Sequence, residues 1–175
     1  IAMGSPSRSH TRLYGDQRRI PSCWRYTEDQ EREQACLVGT WKKKKISYSL
    51  IKLSRDKDEN LQAEFLKVNP FGKLPVLIDS NFPMPDGEPL KLFESGAILL
   101  HLAEQYSDDI KTIENKALTS QWLQFANSTL SIALFVPSHR EKEFPRLMKE
   151  LDRQLVTNQP LVGNVWGAAD CAIQA

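Results

Sequence analysis

Three short stretches carry residue types that could do chemistry. The first is Lys73-Leu74-Pro75-Val76, where a proline stands second in the apolar, strand-length run Leu74–Ile78. Proline lacks the N–H that a sheet ladder needs. So this is an edge strand, or the strand starts only at Val76, or the Leu74-Pro75 peptide is cis. A cis bond would turn the chain sharply and leave the main-chain groups of Val76 open to an extended peptide. The second stretch is Glu94-Ser95, where a strand feeds a helix. A serine there is either an ordinary cap or half of an anion site built with the helix N–H groups. The third is Pro21-Ser22-Cys23-Trp24-Arg25, which sets a hydroxyl beside a thiol. Cys23 is either a thiol able to exchange with disulfides or a buried, inert one. His10, His101 and His139 are scattered. No Ser-His-Asp order, metal-ligand spacing or glycine-rich phosphate loop occurs, so no metal is expected.

The elements that must position these residues follow from pattern. At 175 residues the chain is one large domain or two small ones. A formal charge of +1 argues against nucleic acid as the main partner. No apolar run reaches the ~18 residues of a membrane span. Cys23, Cys36 and Cys171 are odd in number and read as thiols of a reducing, cytoplasmic compartment. Residues 1–10, opening IAMGS, read as a tag or disordered arm. Thr11–Gly15 reads as a strand, and the segment after Tyr26 as a helix with acidic start and lysine-rich end. Ile46–Leu53 alternates as a strand, and Leu61–Val68 is a short helix. Asn69-Pro70-Phe71-Gly72 is a turn with Gly72 suited to positive φ. Leu74–Ile78 and Leu90–Phe93 are strands joined through Pro85-Asp86-Gly87, and Ser95–Tyr106 is a helix. This order implies an α/β, thioredoxin-like N-terminal domain over 11–107.

Residues 115–175 read as a partial all-helical C-terminal domain. Lys116–Phe135 is a helix whose Trp122, Phe125 and Phe135 either line an apolar pocket or fill core. Ser138 and Glu141 read as a capping box for a helix carrying Phe144, Leu147, Met148, Leu151 and Leu155. Another helix starts at Gly167, where Asp170 can accept backbone N–H groups.

The paired segments NPFGKLPVL and LFESGAILLHLAE closely resemble the cytosolic glutathione S-transferase family, in its serine-type, zeta-like or plant and cyanobacterial-like forms. The likeness spans most of 11–175 and is strongest over 65–106; it is poor over 16–45, where the polar YTEDQEREQ replaces an apolar helix. The resemblance implies a cis Pro75 and a glutathione site made by Lys73, Leu74, Pro75, Val76, Glu94 and Ser95. In it Val76 meets the cysteinyl part, Ser95 the γ-glutamyl carboxylate, Glu94 the amino group and Lys73 the glycyl carboxylate. The stretch around Ser22 resembles a serine-type SSC-x-W-x-R loop, which implies Ser22 as catalytic hydroxyl donor to the thiolate, with Cys23 as rival. Members of the family continue through further helices, so a shortened C-terminal domain is implied. The implied function is an enzyme, a glutathione transferase conjugating the thiolate to a small apolar electrophile. Glutathione is then the co-substrate, and a cytoplasmic homodimer without nucleic-acid or membrane partners is expected. Two alternatives stand beside it: a non-catalytic interaction module like those attached to translation factors, and a Cys23-dependent thiol transferase or dehydroascorbate reductase.

Overall fold

The computed structural model describes residues 11–16, 48–108, 110–157 and 160–174, with side chains from Ser49 onward. Strand β1 (Thr11–Asp16) lies parallel to β2 (Tyr48–Leu53) and antiparallel to β3 (Val76–Pro83). β3 pairs antiparallel with β4 (Pro89–Phe93), giving the sheet order β2-β1-β3-β4. This is the thioredoxin-like arrangement expected of the first half. The helix expected after Tyr26, the arm 1–10 and the Ser22–Cys23 pair all lie outside the described residues.

β3 opens with four buried residues, Val76 to Asp79, because both faces of the sheet are covered there. Strand alternation sends neighbours to opposite sides. Leu77 joins Ile98, Leu99, Leu102, Leu123 and Ala168 in the main cluster, while Val76 packs with Phe65 and Leu74 on the other face. Leu74 and Pro75 precede the strand, so the expected start at Leu74 moves to Val76; the Leu74-Pro75 peptide is also cis. The hairpin to β4 turns at Gly87, φ 84°, whose N–H donates to the Met84 carbonyl at 2.8 Å.

Before β3 the chain makes a 3-10 turn (Glu59–Leu61) and a one-turn helix, α1 (Ala63–Leu66). The following turn is braced from within. Asn69 is fully buried; its Nδ2 donates to the Lys73 carbonyl at 2.8 Å, and its Oδ1 accepts the Phe71 N–H at 3.1 Å. Asn60 Nδ2 donates to the Gly72 carbonyl at 2.7 Å. Gly72 has φ +62°, and an added Cβ there would lie 2.7 Å from Leu61 Cδ2. Only glycine meets both demands cheaply.

α2 (Ser95–Tyr106) has the expected bounds and buries Ile98, Leu99, Leu102 and Ala103 at helical spacing. α3 (Ile113–Gln124) starts earlier than expected because Thr112 caps it, its Oγ1 accepting the Asn115 N–H at 3.1 Å. A π-helical turn (Phe125–Leu130) leads into α4 (Ser131–Phe135). The capping box expected at Ser138 and Glu141 does not form. Val136 is the N-cap, Pro137 takes the first position of α5 (Pro137–Arg140), and Ser138 falls inside that helix. Proline suits this first position because its missing N–H is unneeded there. α6 (Phe144–Thr157) begins afterwards, burying Leu147 and Leu151. α7 (Ala168–Gln174) is tied by Asp170, whose oxygens accept the N–H groups of Leu161 and Gly167, each at 2.9 Å.

Leu123, Ala168 and Cys171 share the cluster of Leu77 and Ile98, so sheet and helices bury one continuous core. Cys171 is disulfide-bonded, which corrects the expectation that all three cysteines are free thiols; the sulfur is drawn into this core at full burial. The helical half leaves Ile113, Phe135 and Val156 exposed. Among the described residues no helix is long and apolar enough to cross a membrane, and no group of three or more His, Cys, Asp or Glu could hold a metal ion.

Candidate functional site

The sheet register brings two of the three sequence stretches together. Val76 pairs with Tyr14 of β1 on one side and with Phe93 of β4 on the other. Leu74-Pro75 therefore enters β3 at the edge of the sheet where Phe93 hands over to Glu94-Ser95. β1 leaves at the same edge through Gly15 and Asp16. The segment carrying Ser22 and Cys23 follows from there, but both residues lie outside the described ones.

One expectation needs correction. Val76 was to offer its main chain to a ligand. It sits inside the ladder with a strand on each flank, and in an antiparallel ladder one residue's N–H and C=O point to the same side. Those groups are directed at a strand. Leu74 is different: its side chain is buried, and its main chain makes no hydrogen bond among the described residues. Leu74, also in the expected set, is thus the open main-chain edge. Lys73 is exposed beside it and makes no ion pair among the described residues.

Glu94 is the N-cap of α2 with φ 70° and ψ 120°, and its own side chain does not cap the helix. Positive φ at a non-glycine residue costs on the order of 1–3 kcal/mol. The twist breaks the chain direction abruptly, exposing the Glu94 side chain and leaving Ser95 to start the helix at 7% exposure. The helix begins its own bonding with Ile98 N–H to the Glu94 carbonyl at 3.0 Å. The N–H groups of Ser95, Gly96 and Ala97 have no acceptor in their own helix and carry the positive end of its dipole. A carboxylate is the natural complement of that surface.

Sequence reasoning missed two groups. Asn127, on the π-helical turn, reaches back to the start of α2 and donates from Nδ2 to Ser95 Oγ at 3.4 Å. An isolated asparagine on a helix carries no signal of this kind. The second is a network at the far end of α2. Asp79 is fully buried, with Tyr106 Oη at 2.7 and 2.8 Å from its two oxygens, His101 Nε2 at 2.8 Å and the Asn81 N–H at 3.1 Å. Asn81 Nδ2 also donates to Tyr106 Oη at 2.7 Å, and Phe82 meets His101 edge-on at 5.1 Å. This network clamps β3 to α2, and so aims the opposite end of that helix.

In the helical half, Trp122 and Phe125 meet edge-to-face at 5.7 Å. With Leu147 and Leu151 they line an open apolar cavity of 430 Å³, rimmed by Arg146 and Glu150. Phe135 is exposed and outside it. On the rim, hydrogen bonds from Arg153 and Gln154 push the Glu150 carboxyl down to about 2.

The fold and this edge define a thioredoxin-like domain whose α2 starts beside the entry to β3, joined to a helical half. The description "Glutathione S-transferase, N-terminal domain" matches residues 31–104. Disulfide-bond oxidoreductase YfcG of Escherichia coli (strain K12) is 32% identical over 143 residues, covering 73% of this chain and 66% of that protein. Glutathione S-transferase F10 of Arabidopsis thaliana is 30% identical over 160 residues, 77% of this chain and 70% of that protein. A glutathione transferase from Pseudomonas putida, solved with one glutathione disulfide bound per subunit, matches with TM-score 0.68 at 25% identity, over 96% of this chain and 74% of that one. Ure2p in complex with glutathione matches with TM-score 0.70 at 20% identity, over 97% and 83% of the chains, a likeness of fold alone. The chain belongs to the glutathione S-transferase family. It spans just under two thirds of the length of YfcG, at 66%.

Proposed function

We propose that the protein binds glutathione at the edge formed by Leu74 and Ser95 and conjugates its thiolate to a small apolar electrophile. The observation that carries this reading is the sheet register, which sets Leu74, without a main-chain partner among the described residues, at the same edge as the start of α2 at Ser95. Leu74 suits the cysteinyl backbone as a short strand addition, the helix start the γ-glutamyl carboxylate. Glu94 takes the amino group and Lys73 the glycyl carboxylate. Pro75 shapes the entry, and Val76 anchors it in the sheet. The glutathione thiol gives up its proton to solvent, its sulfur forms the new S–C bond, and the electrophile's leaving group departs with its electron pair. Ser22 donates a hydrogen bond to the thiolate, which otherwise forms only near pKa 8.5. The cavity beside Trp122 and Phe125 offers apolar room for such an electrophile. No metal takes part.

Residues Phe71 and Phe93 support the homodimer in this reading. They pair edge-on at 5.4 Å, and Phe71 is 67% exposed, an aromatic knob that a second copy would cover. The cytoplasmic location is part of the same proposal and is tested by fractionation.

A second reading, disulfide exchange through Cys23, is favoured by YfcG's name as a disulfide-bond oxidoreductase and by the glutathione disulfide held in the Pseudomonas putida structure. There a thiolate attacks a disulfide sulfur and releases the other half as a thiol.

Titration calorimetry with glutathione tests the binding. Ser95→Ala is expected to weaken it roughly tenfold, the loss of one hydrogen bond to a charged group. Binding undiminished in that variant removes the helix start from the site. Conjugation turnover surviving in Ser22→Ala removes Ser22 from activation. Disulfide reduction lost in Cys23→Ser, with conjugation intact, selects the second reading.

A further inference from the structure

We propose that Asn127 is a positioning residue of the γ-glutamyl subsite, holding the Ser95 hydroxyl so that its proton points at the ligand's carboxylate. The inference rests on the glutathione reading and adds to it a residue from the helical half.

Three observations converge. Asn127 Nδ2 lies 3.4 Å from Ser95 Oγ, a contact between residues 32 positions apart. Ser95 is 7% exposed, so its hydroxyl has little water to turn to. A serine hydroxyl has one proton to give and two lone pairs to receive. Asn127 engages a lone pair and leaves the proton for another acceptor. The neighbouring residue is the second observation. An added Cβ at Gly96 would lie 2.8 Å from Asn127 Nδ2 and 3.7 Å from Leu123 Cβ. The amide occupies the space that a side chain at position 96 would need. Third, Asn127 sits in the π-helical turn Phe125–Leu130, which interrupts α3 and α4. Such a turn changes which residues face the sheet, and π-bulges are frequent at functional sites.

The consequence is a fixed polarity. The chain of bonds runs from the Asn127 amide to Ser95 Oγ and from the Ser95 proton outward, beside the free N–H groups of α2. The Ser95 hydroxyl and the α2 N–H groups that face the γ-glutamyl carboxylate are then all donors, which selects an anion at that point. Bonds in such a chain polarise one another and strengthen the last link. An aspartate at position 127 is nearly isosteric but reverses this order. It would take the Ser95 proton and set a negative charge beside the carboxylate.

Calorimetry distinguishes these roles using wild type, Asn127→Ala, Asn127→Asp, Ser95→Ala and the double variant Asn127→Ala/Ser95→Ala. The ligands are glutathione and its analogue with 4-aminobutyrate in place of the glutamyl residue, which lacks the α-carboxylate. Asn127→Ala is expected to weaken glutathione about 5-fold, the worth of one neutral hydrogen bond. Asn127→Asp is expected to weaken it about 30-fold through like-charge repulsion. Both should bind the analogue within about 2-fold of wild type, since the bond they disturb serves only the carboxylate. In the Ser95→Ala background, Asn127→Ala should add nothing, because the two act as one unit. Equal weakening of both ligands, additive losses, or an Asn127→Asp protein that binds glutathione like wild type overturns the proposal. If circular dichroism shows Asn127→Asp unfolded, the alanine variant and the double variant decide alone. Wild type failing to bind millimolar glutathione defeats the glutathione reading and this inference with it; wild type binding with indifferent Asn127 variants defeats this inference only.

Discussion

Replacing Asp79 by alanine tests how α2 is held against the sheet. The carboxylate is wholly buried and faces Tyr106 Oη, His101 Nε2 and the Asn81 N–H within 2.7–3.1 Å. Removing it leaves three polar groups without that partner. Asn81 is exposed and regains water, so little is lost there. His101 has a side chain only 11% exposed, and Tyr106 is half-buried. Each polar group stranded in that way costs about 1–3 kcal/mol. The sum, with the small cavity left by the side chain, comes to about 3–5 kcal/mol. For a chain of this size that corresponds to a fall in Tm of roughly 6–20 °C. Urea unfolding followed by circular dichroism measures it, and the slope should stay constant while the midpoint falls. Asp79→Asn is the informative control. His101 Nε2 can donate or accept according to its tautomer, so an amide can still bond to it. The asparagine variant should therefore lose less than the alanine one. A loss below about 1 kcal/mol for Asp79→Ala would refute the claim that this network clamps the helix. An asparagine variant as damaged as the alanine one would show that charge, not bonding, is what the site requires.

Three further outcomes follow from the same geometry. Gly72→Ala should cost about 1–3 kcal/mol in urea unfolding, since the residue keeps φ +62° and its Cβ would meet Leu61 Cδ2 at 2.7 Å; an unchanged midpoint would mean that the turn relaxes freely. Phe71→Ser should raise the dimer dissociation constant roughly 30-fold or more in sedimentation velocity, as for a central aromatic contact, and a wild type that runs as a monomer removes the proposed interface. Glu150 should titrate near 2 by carboxyl NMR, held there by Arg153 and Gln154. A carboxyl whose pKa is depressed by folding stabilises above its unfolded value, near 4.5, and that contribution fades as pH falls through about 2. The Tm difference between wild type and Glu150→Gln should accordingly shrink between pH 5 and pH 2, and it should be small throughout because the pair is exposed.

Much of the fold was legible before any coordinates, for local reasons. α2 has the expected bounds because Ile98, Leu99, Leu102 and Ala103 recur at the helical period and Glu94-Ser95 supplies a start. Gly72 takes the positive φ expected of that turn, since turn chemistry is set within four residues. Pro75 announced an irregularity, because proline cannot join a ladder. The boundaries that moved did so for equally local reasons that pattern left ambiguous. Thr112 captured the start of α3, and Pro137 took a helix's first position ahead of the Ser138 box.

What the residue string could not determine is who meets whom. Among the described residues Leu74 rather than Val76 is left without a main-chain partner, because β1 and β4 close on Val76 from both sides, and register is a property of the assembled sheet. Asp79, His101 and Tyr106 are separated by up to 27 positions, and Ser95 and Asn127 by 32; only packing makes either set a unit. Periodicity reports which face of an element is buried, because burial of that face is what selects the pattern. It carries no address for the neighbour on the other side. The chemistry proposed here depends on such addresses: a carboxylate site assembled from a sheet edge, a helix start and an amide from the helical half, which exists only once the common core around Leu77, Ile98 and Leu123 has formed.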